Sequence, residues 1–397
     1  MSALRQISAM VSMNLRNLPQ RLGSSLVIVL GITGVVAVLV SVLSMAVGFS
    51  RTISGAGSPD RALILAGGSF DEATSSISAD AVPDILNAAG IARDAAGRPI
   101  ADAEVLAQVQ VAQTASDQPI NVALRGVGAE QALLRPEIHL VAGRMFRPGL
   151  HEVIVGRSVQ MRYPGLGIGS HLSFQNGDWV VVGTFASSQP NLLDSEIETD
   201  ARTLQSALQR NWFQSVTVRL AGPGALQTLR SALAADPTLH VDALLESTYR
   251  AAQSRVLYTI LKVIAYFIGG MMAAGALFGA LNSLYAAVSA RSLEIATLRA
   301  IGFGAAGVVI SVLAEALLLS LLGALLGALC AWALFDGHVS SMVLNGLQPP
   351  VSYAMAVTPG LVVLGIIWAC VIGMIGGLFP ALRAARLPVS QALNAVV

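Results

Sequence analysis

Four long apolar stretches restrict what this chain can fold into more than any other feature of its sequence. They cover residues 22–49, 256–290, 305–335 and 359–380, and each reaches the roughly 20 helical residues that cross a bilayer. Lys262 and Glu315 are the ionised residues within them. Each such charge costs roughly 3 kcal/mol at the bilayer centre, which the many Leu, Ile, Val and Phe residues around it offset. The sequence therefore predicts four transmembrane helices.

The scarcity of charge elsewhere agrees with this prediction. Charged residues make up 12% of the chain, about half their share in ordinary soluble domains. The net charge is +1 and no basic run is present, so no nucleic-acid partner is expected. The first apolar stretch is longer than the roughly 7–15 apolar residues of a signal peptide, which favours a retained span over a cleaved signal.

The arginines of the short segments predict the orientation in the membrane. They lie in the N-terminal tail, between the second and third spans, and in the C-terminal tail: Arg5, Arg16, Arg21, Arg291, Arg299, Arg383 and Arg386. The loop 336–358 contains no Arg or Lys. Because positive charge in short loops stays on the cytoplasmic side, we expect both termini in the cytoplasm. The large segment after the first span then lies outside the cytoplasmic membrane, which for a bacterial inner membrane is the periplasm.

The predicted fold class is an α-helical membrane protein with four transmembrane helices and an α+β periplasmic domain of two lobes inserted between helices 1 and 2. The predicted segments are a cytoplasmic amphipathic N-terminus (1–21), the first span (22–49), the periplasmic domain (50–242), a stalk helix continuing into the second span (243–290), a cytoplasmic helix (291–304), the third span (305–335), a short periplasmic loop (336–358), the fourth span (359–380) and a cytoplasmic tail (381–397).

Short alternating and β-branched runs carry the α+β prediction. Strands are expected at 104–111, 120–127, 152–155, 171–174, 179–185, 215–220 and 238–242, and helices at 199–209 and 225–234. Asn176-Gly177 predicts a hairpin, and Gln189-Pro190-Asn191 is expected to join two lobes, 50–190 and 191–242. Both cysteines, Cys330 and Cys370, lie in predicted spans, so the periplasmic domain cannot contain a disulfide.

The segment that leads into the second span predicts a stiff connection. From residue 243 the pattern is helical, and no Gly or Pro interrupts it before Gly269. We expect one long helix that leaves the membrane as a stalk. Such a helix could carry displacement between the periplasmic domain and the membrane.

The sequence lacks the motifs of an enzyme. A P-loop requires Gly-Lys-Ser/Thr, but the single lysine, Lys262, lies in Ile-Leu-Lys-Val. His139, His151 and His171 are too far apart for a local metal motif. The glycines in 165–169 precede a predicted strand and indicate a turn, not a nucleotide loop. Neither a metal site nor a bound cofactor is expected.

Two ionisable residues and three glycine pairs within the spans are candidates for function. A charged residue within a membrane span is a candidate for function by default. Lys262 lies near the end of its span, where it can reach lipid headgroups. Glu315 is expected to face protein, as a packing residue or as a conformational latch. Pairs of glycines four residues apart allow close helix contact, either within the chain or in a dimer: Gly275 with Gly279, Gly323 with Gly327, and Gly373 with Gly377.

The segment 291–302 predicts a short amphipathic helix between the second and third spans. Leu293, Ile295, Leu298 and Ile301 are assigned to one apolar face, and Gly302 is expected to end the helix. The residues alone allow either docking to a cytoplasmic partner or a plain interfacial helix.

This segment, Arg291-Ser-Leu-Glu-Ile-Ala-Thr-Leu-Arg-Ala-Ile-Gly302, resembles the Arg-x-x-Glu-Ile-x-x-Leu-Arg-Ala-Ile-Gly signature of MacB/FtsX-type ABC permeases, the type VII family. The resemblance continues through 315–323 and 380–393. Residues 143–146, 153–155 and 181–183 are similar to the family's periplasmic core domain. The resemblance implies a mechanotransmission permease whose lobes 50–190 and 191–242 correspond to the porter and sabre subdomains.

The resemblance also implies partners and roles. Two copies of a separate cytoplasmic ATPase would bind ATP and Mg, and would pair with two permease chains, either identical or different. The residues expected to couple to the ATPase are Arg291, Leu293, Glu294, Ile295, Leu298, Arg299 and Gly302. One reading is export or extraction of a substrate, with a periplasmic adaptor and an outer-membrane channel as possible partners. The other is FtsX-like signalling that activates a periplasmic partner such as a cell-wall hydrolase.

Overall fold

The computed structural model describes residues 22–113, 116–174, 177–188, 191–301, 304–342 and 351–386. These residues form two compact units. The membrane unit comprises 22–47, 259–338 and 355–386, and the α+β unit comprises Gly48–Tyr258 and Val339–Ala354. The predicted segments 1–21 and 387–397 lie outside the described residues.

The described helices, in chain order, are α1 (Leu22–Ser54), α2 (Val82–Asn87), α3 (Gln131–Leu134), α4 (Arg157–Arg162), α5 (Ala201–Leu208), α6 (Ala225–Ala234), α7 (Glu246–Ala290), α8 (Ser292–Ala300), α9 (Ala305–Phe335) and α10 (Pro359–Arg386). The described strands are β1 (Arg61–Ala66), β2 (Ile77–Ser78), β3 (Ala101–Gln113), β4 (Ser116–Val127), β5 (Ile138–Gly143), β6 (Glu152–Gly156), β7 (His171–Phe174), β8 (Gly177–Ser187), β9 (Glu196–Asp200), β10 (Trp212–Phe213), β11 (Ser215–Arg219), β12 (Val241–Leu245), β13 (Val339–Met342) and β14 (Val351–Ala354).

Four of the described helices, α1, α7, α9 and α10, are long and apolar enough to cross a membrane. In the membrane unit they share one apolar core, to which α1 contributes Ile32 and Val36, α7 Ala280, α9 Ala324 and α10 Ala369. Small residues at these contacts let the helix backbones approach closely.

The fourth span does not end at Pro380 as the sequence predicted. Pro380 lies inside α10, which continues to Arg386. A proline removes one backbone hydrogen bond, but neighbouring helices can stabilise the helix beyond it. Here Ala381 and Ala384 are fully buried and pack in one cluster with Val308 and Val312 of α9.

One mixed sheet organises the α+β unit. Its strand order is β12-β1-β11-β3-β4-β9-β6-β8-β5, and β7 pairs with both β3 and β8. The antiparallel pair β7–β8 closes with Phe174 opposite Gly177, as the predicted hairpin requires, although residues 175–176 lie outside the described part. The glycine-rich stretch 165–169 forms turns before β7, and Gly169 has a φ of +89°.

The predicted division into sequential lobes 50–190 and 191–242 is wrong. Two apolar cores exist, but the chain enters each more than once. One core joins residues of β1, α2, β11 and α6, including Ile64, Ile85, Val216 and Leu229. The other joins β3, β4, β6, β8, β9 and α5 around Trp179. The pairing of β1 with β11 and β12 connects residues far apart in sequence, which local periodicity cannot reveal.

The predicted stalk helix begins three residues later than expected. Ala243 belongs to β12 and lies opposite Ile64 of β1. The helix α7 starts at Glu246 and continues for 45 residues to Ala290. Sheet pairing with β1 thus holds the preceding residues extended.

The loop 336–358 contains structure that the sequence did not predict. Its strands β13 and β14 pair antiparallel and belong to the α+β unit. The ring of Tyr353 meets that of Phe49 edge-on, with centroids 5.6 Å apart. The backbone N–H of Ser352 donates to Ser195 Oγ at 3.2 Å.

Candidate functional site

The short helix α8 separates its apolar residues between two faces, contrary to the single apolar face predicted. Ile295 is 8% exposed and packs with Val288 and Val308 of the membrane unit. Leu293 is 43% exposed and Ile301, which follows the helix, is 71% exposed. Residues two apart on a helix point in nearly opposite directions, so Leu293 and Ile295 cannot share a face.

The exposed side of this helix is therefore a mixed surface. It presents the side chains of Leu293 and Glu294, with Ile301 beyond the last turn. Arg299 is half-buried in the last turn. The side chain of Leu298 and all of Gly302 lie outside the described part of the structure, so their predicted roles stay predictions.

Arg291, the N-cap of α8, reaches back into the membrane unit. Its Nη1 atom lies 3.4 Å from Oε2 of Glu315 in α9. Both side chains are buried, with 7% and 8% of their surfaces exposed. Two sequence candidates predicted for different roles are thus partners in one ion pair.

Lys262 has a different environment from Glu315. Its side chain is exposed, and its Nζ lies 5.9 Å from the centre of the Tyr266 ring. Tyr266 stacks on Trp368, with centroids 6.0 Å apart. A cation beside paired aromatic rings is typical of the membrane–water interface.

The glycine pair of α9 lies in close contact with α1. A Cβ atom added at Gly327 would lie 2.6 Å from the carbonyl oxygen of Thr33, and one at Gly323 would lie 2.9 Å from that of Val29. Real side chains do not come this close to backbone oxygen atoms. At this contact only glycine allows the observed spacing.

The other two pairs differ from each other. Gly373 and Gly377 of α10 meet α9, where a Cβ at Gly377 would lie 2.8 Å from Ala316 Cβ. No described atom lies within 4 Å of a Cβ built at Gly275, and the nearest to one at Gly279 is at 4.0 Å. Packing within the described chain therefore accounts for the glycines of α9 and α10 but not for those of α7.

The α+β unit contains a buried ionic network that sequence reasoning missed. Its centre is Glu246, the first residue of α7, whose side chain is fully buried. Arg61 Nε donates to its Oε2 at 2.6 Å, and Arg135 Nη1 donates to its Oε1 at 2.8 Å. The backbone N–H of Ser58 donates to Oε2 at 3.2 Å. The start of α7 is thus held by β1, by the residue after α3 and by the chain preceding β1.

A second part of this network lies one turn further along α7. Arg250 Nη2 is 3.1 Å from Glu72 Oε2, and the backbone N–H of Glu72 donates to the Tyr249 hydroxyl at 3.0 Å. Burial would raise the pKa of Glu72, but the charges of Arg125 and Arg250 outweigh burial and hold the pKa well below its usual range. Glu72 is therefore a buried carboxylate that depends on its arginines.

Arg125 of β4 joins the two parts. It donates to Glu196 of β9, to Glu104 of β3 and to Glu72. Arg135 Nη2 in turn donates to Glu104 at 3.0 Å. Because each buried charge has partners of opposite sign, the network avoids the cost of isolated buried charges.

Two further buried carboxyls, Asp102 and Glu198, have pKa values that are raised, in contrast to that of Glu72. Burial and the nearby charge of Glu104 raise the pKa of Asp102 to about 8, although the Gly128 N–H donates to it. Burial raises the pKa of Glu198 to about 7, against a hydrogen bond from Gln131. Both groups titrate near neutral pH, unlike exposed carboxyls.

The sequence carries one weak signal for this network. Glu104 and Val105 are neighbours in β3, and both are at most 1% exposed. A strand buried on both faces can hold a charge inside the protein, so a glutamate within a predicted strand is that signal. Among the described residues no cluster of His, Cys, Asp or Glu could hold a metal ion; His171 pairs with Asp178, and His151 stacks on Trp179.

Comparisons with known proteins match both units. A family model described as the MacB-like periplasmic core domain matches residues 25–236, more than half of the chain. A second, described as the FtsX-like permease C-terminal, matches residues 266–389. The matched ranges together take in most of both units.

Curated relatives match over shorter stretches. The macrolide export ATP-binding/permease protein MacB of Sodalis glossinidius (strain morsitans) is 34% identical over 139 residues, which cover 35% of this chain and 19% of that protein. MacB 1 of Yersinia pestis bv. Antiqua (strain Antiqua) is 28% identical over 195 residues, which cover 46% of this chain and 28% of that protein. The matched part of the chain thus spans 19% and 28% of the length of these two relatives.

A solved structure, the periplasmic region of MacB from Actinobacillus actinomycetemcomitans, aligns with 49% of this chain and 93% of that one. The TM-score is 0.39 and the sequence identity is 12%. The family assignment therefore depends on the two family models and not on this alignment.

Proposed function

This chain belongs to the MacB/FtsX-like family of ABC transporter permeases, and on that premise we propose that it is a mechanotransmission subunit. In this proposal a separate cytoplasmic ATPase, present in two copies, hydrolyses ATP with Mg. The permease transmits the resulting motion to a periplasmic domain, which drives export or extraction of a substrate. Both termini are cytoplasmic in this arrangement, and a second permease chain completes the complex.

The observation that carries the proposal is the buried anchoring of Glu246 at the start of an unbroken helix. Arg61 and Arg135 hold Glu246 within the sheet of the α+β unit. The same helix, α7, continues to Ala290, and α8 begins at Ser292. At about 1.5 Å per residue, 45 residues span roughly 68 Å. A stiff rod of this length with an ion-paired end is suited to carry displacement.

The exposed side of α8 supports a docking role at the other end of the rod. Leu293 and Glu294 combine apolar contact area with a charge that can pair across an interface. The opposite side of α8 is fixed by Ile295 and by the Arg291–Glu315 pair. A docked ATPase would therefore push on a helix that is held firmly by the membrane unit.

Transport is favoured over signalling because the named relatives are export proteins. Their names concern macrolide export, and we extend to this chain only the general class, export or extraction. A periplasmic adaptor and an outer-membrane channel are the partners expected for such a role. Co-purification with a cell-wall hydrolase, in place of these, would instead support the FtsX-like signalling function.

The decisive experiment interrupts α7 at its exposed residue Arg255. Proline inside a helix removes a hydrogen bond and clashes with the preceding turn, so Arg255→Pro should weaken the rod, whereas Arg255→Ala should not. ATP-dependent changes in thiol labelling of the naturally cysteine-free α+β unit report the motion. A reporter cysteine can be placed there after Cys330 and Cys370 are replaced.

We expect Arg255→Ala to keep the ATP-dependent change and Arg255→Pro to lose it while still binding the ATPase. If the Arg255→Ala variant is labelled equally with ATP and without it, mechanotransmission is rejected. An undiminished ATP-dependent change in the Pro variant would reject α7 as the transmitting element.

A further inference from the structure

A cavity of about 350 Å³ lies in the α+β unit, next to the first turns of α7. This volume is at the lower end of the range found for small-molecule sites. Its lining combines apolar side chains, including Leu106, Leu192 and Val351, with the buried arginines of the ionic network. Three residues of α7 also line the cavity: Tyr249, Arg250 and Gln253.

Arg250 has hydrogen-bonding capacity that the described residues leave unused. Its side chain is 1% exposed, and its Nε and Nη2 atoms make no hydrogen bond among the described residues. The Nη2 atom is 3.1 Å from Glu72 Oε2, an ion-pair distance without hydrogen-bond geometry. The buried Oε1 atom of Gln253, also on the cavity wall, makes no hydrogen bond within the same residues. Buried polar atoms of this kind favour a ligand that supplies acceptors to the arginine and a donor to the amide.

The acidic residues on the wall already have donors. Both oxygens of Glu196 accept from Arg125. Glu72 Oε1 accepts from Arg125 and Ser215, and Asp71 caps the turn at residue 74. These acids therefore leave fewer hydrogen-bonding positions unsatisfied than Arg250 does.

A second cation lines the cavity. Arg210 is half-buried, and its guanidinium stacks on the Trp212 ring at 5.7 Å. It makes no ion pair with any described acid. Two arginines with spare donors, beside acids that are already paired, make the wall selective for an anionic group.

We propose that this cavity binds a small organic acid that has an apolar body and one N–H or O–H donor, such as an N-acylated amino acid. Its carboxylate pairs with Arg250 and Arg210, its donor bonds to Gln253, and its apolar body contacts the aliphatic wall. Because Arg250 and Gln253 belong to the first turns of α7, occupancy acts on the same helix end that Glu246 anchors. Binding does not depend on the proposed transport cycle, and it is measured without an ATPase.

The test uses a thiol placed in the cavity. Ala123 is a buried lining residue, and Ala123→Cys is made in the full chain with Cys330→Ala and Cys370→Ala. Labelling rates are compared for the anionic reagent methanethiosulfonate ethylsulfonate and its cationic trimethylammonium counterpart. Ala96→Cys, on an exposed turn, provides the matched control. The probes are N-acetyl-phenylalanine and its neutral amide, which differ in charge and little in shape.

We expect the anionic reagent to react faster than the cationic one at position 123 but not at position 96. The acid probe should slow labelling at position 123 at least fivefold, and the neutral amide should slow it less than twofold. Arg250→Gln should remove the protection. Gln253→Leu, which leaves the ionic network intact, should weaken it several-fold, so the inference is testable even if Arg250→Gln does not fold.

Three outcomes would overturn the inference. The thiol at position 123 could be unreactive toward both reagents, which would mean a closed cavity. The acid and the amide could protect equally, or neither could protect, which would mean that no anion is selected. Full protection by the acid in the folded Arg250→Gln and Gln253→Leu variants would place the acid elsewhere.

Discussion

Arg291 and Glu315 form a buried ion pair in which Nη1 of the arginine lies 3.4 Å from Oε2 of the glutamate. The pair joins the residue before α8 to the buried face of α9. Because both side chains are buried, the loss of either partner is costly. In the proposed cycle this pair transfers the position of α8 to the transmembrane helices.

The first prediction concerns this ion pair. Glu315→Gln removes the charge facing Arg291 but keeps a hydrogen-bonding side chain of the same size. We expect assembly with the ATPase to persist while the rate of ATP-driven turnover falls several-fold. Asp80→Asn, which removes an exposed charge of the α+β unit, is the control for turnover and should change it less than twofold. A wild-type turnover rate in Glu315→Gln would remove the functional role assigned to the pair.

The second prediction concerns docking on α8. Glu294→Arg reverses an exposed charge, and Arg299→Glu reverses one in the last turn. Each should lower both ATPase binding and its stimulation about tenfold without reducing membrane insertion, because like charges would then meet across the interface. Asp80→Arg makes the same reversal at an exposed residue of the α+β unit and should have no effect. Pull-down and ATPase assays test this, and full stimulation by both α8 variants would contradict the coupling role.

The third prediction compares two acids that share one arginine. Arg61 contacts the buried Glu246 through Nε and the partly exposed Glu137 through Nη2 at 2.7 Å. Glu246→Gln should destabilise the α+β unit by about 3–5 kcal/mol, because the buried Arg61 and Arg135 each lose one of their two acidic partners. Glu137→Gln should cost about 1 kcal/mol or less, because water replaces its contact. Denaturant unfolding followed by tryptophan fluorescence measures both, and equal losses would argue against a buried anchor.

The fourth prediction follows from the raised pKa of Asp102, about 8. The folded state keeps a proton that the unfolded state loses above about pH 4, so this group makes the free energy of unfolding fall as pH rises from about 4 to 8. Asp102→Asn cannot ionise and still accepts from Gly128 N–H. It should be more stable than the wild type at pH 9, by about 1–3 kcal/mol.

Unfolding midpoints at pH 5, 7 and 9 test this slope. Asp94→Asn is the control, because hydrogen bonds from Arg98 lower the pKa of the Asp94 carboxyl, which leaves it ionised throughout that range. A wild-type pH slope in Asp102→Asn would show that the carboxyl titrates in its ordinary range.

The fifth prediction contrasts two intramembrane glycines. Gly327→Ala forces a Cβ against the Thr33 carbonyl and should destabilise the membrane unit by about 1–3 kcal/mol, as overpacking does. Gly275→Ala has open space within the described chain and should leave the stability of the isolated chain unchanged. Detergent-resistance assays on monomers compare them. Equal tolerance of both substitutions would reject the tight α1–α9 contact.

Much of the membrane unit could be predicted from the sequence, because the free energy of placing a segment in a bilayer depends on that segment's own residues. Hydropathy therefore located four helices, while the exact ends depended on contacts such as those of Ala381 with α9. The β7–β8 hairpin was also predictable, since Asn176-Gly177 is a local hairpin signal in the sequence. The interleaved lobes were not, because β1 pairs with β11 and β12 across about 150 to 180 residues of chain.

The candidate site, like the fold, was predictable from the sequence only in its local features. The sequence alone determined that Glu315 is a charge within an apolar span, that Arg291 is a charge just outside one, and that no P-loop lysine exists in this chain. Only the tertiary structure decided that those two charges pair, that Leu293 and Ile295 face apart, and that Glu246 meets Arg61 across 185 positions of sequence. Local patterns report the preference of a residue for water or apolar surroundings, whereas the partner of a buried charge is set by which distant segments the sheet and the helix bundle bring together.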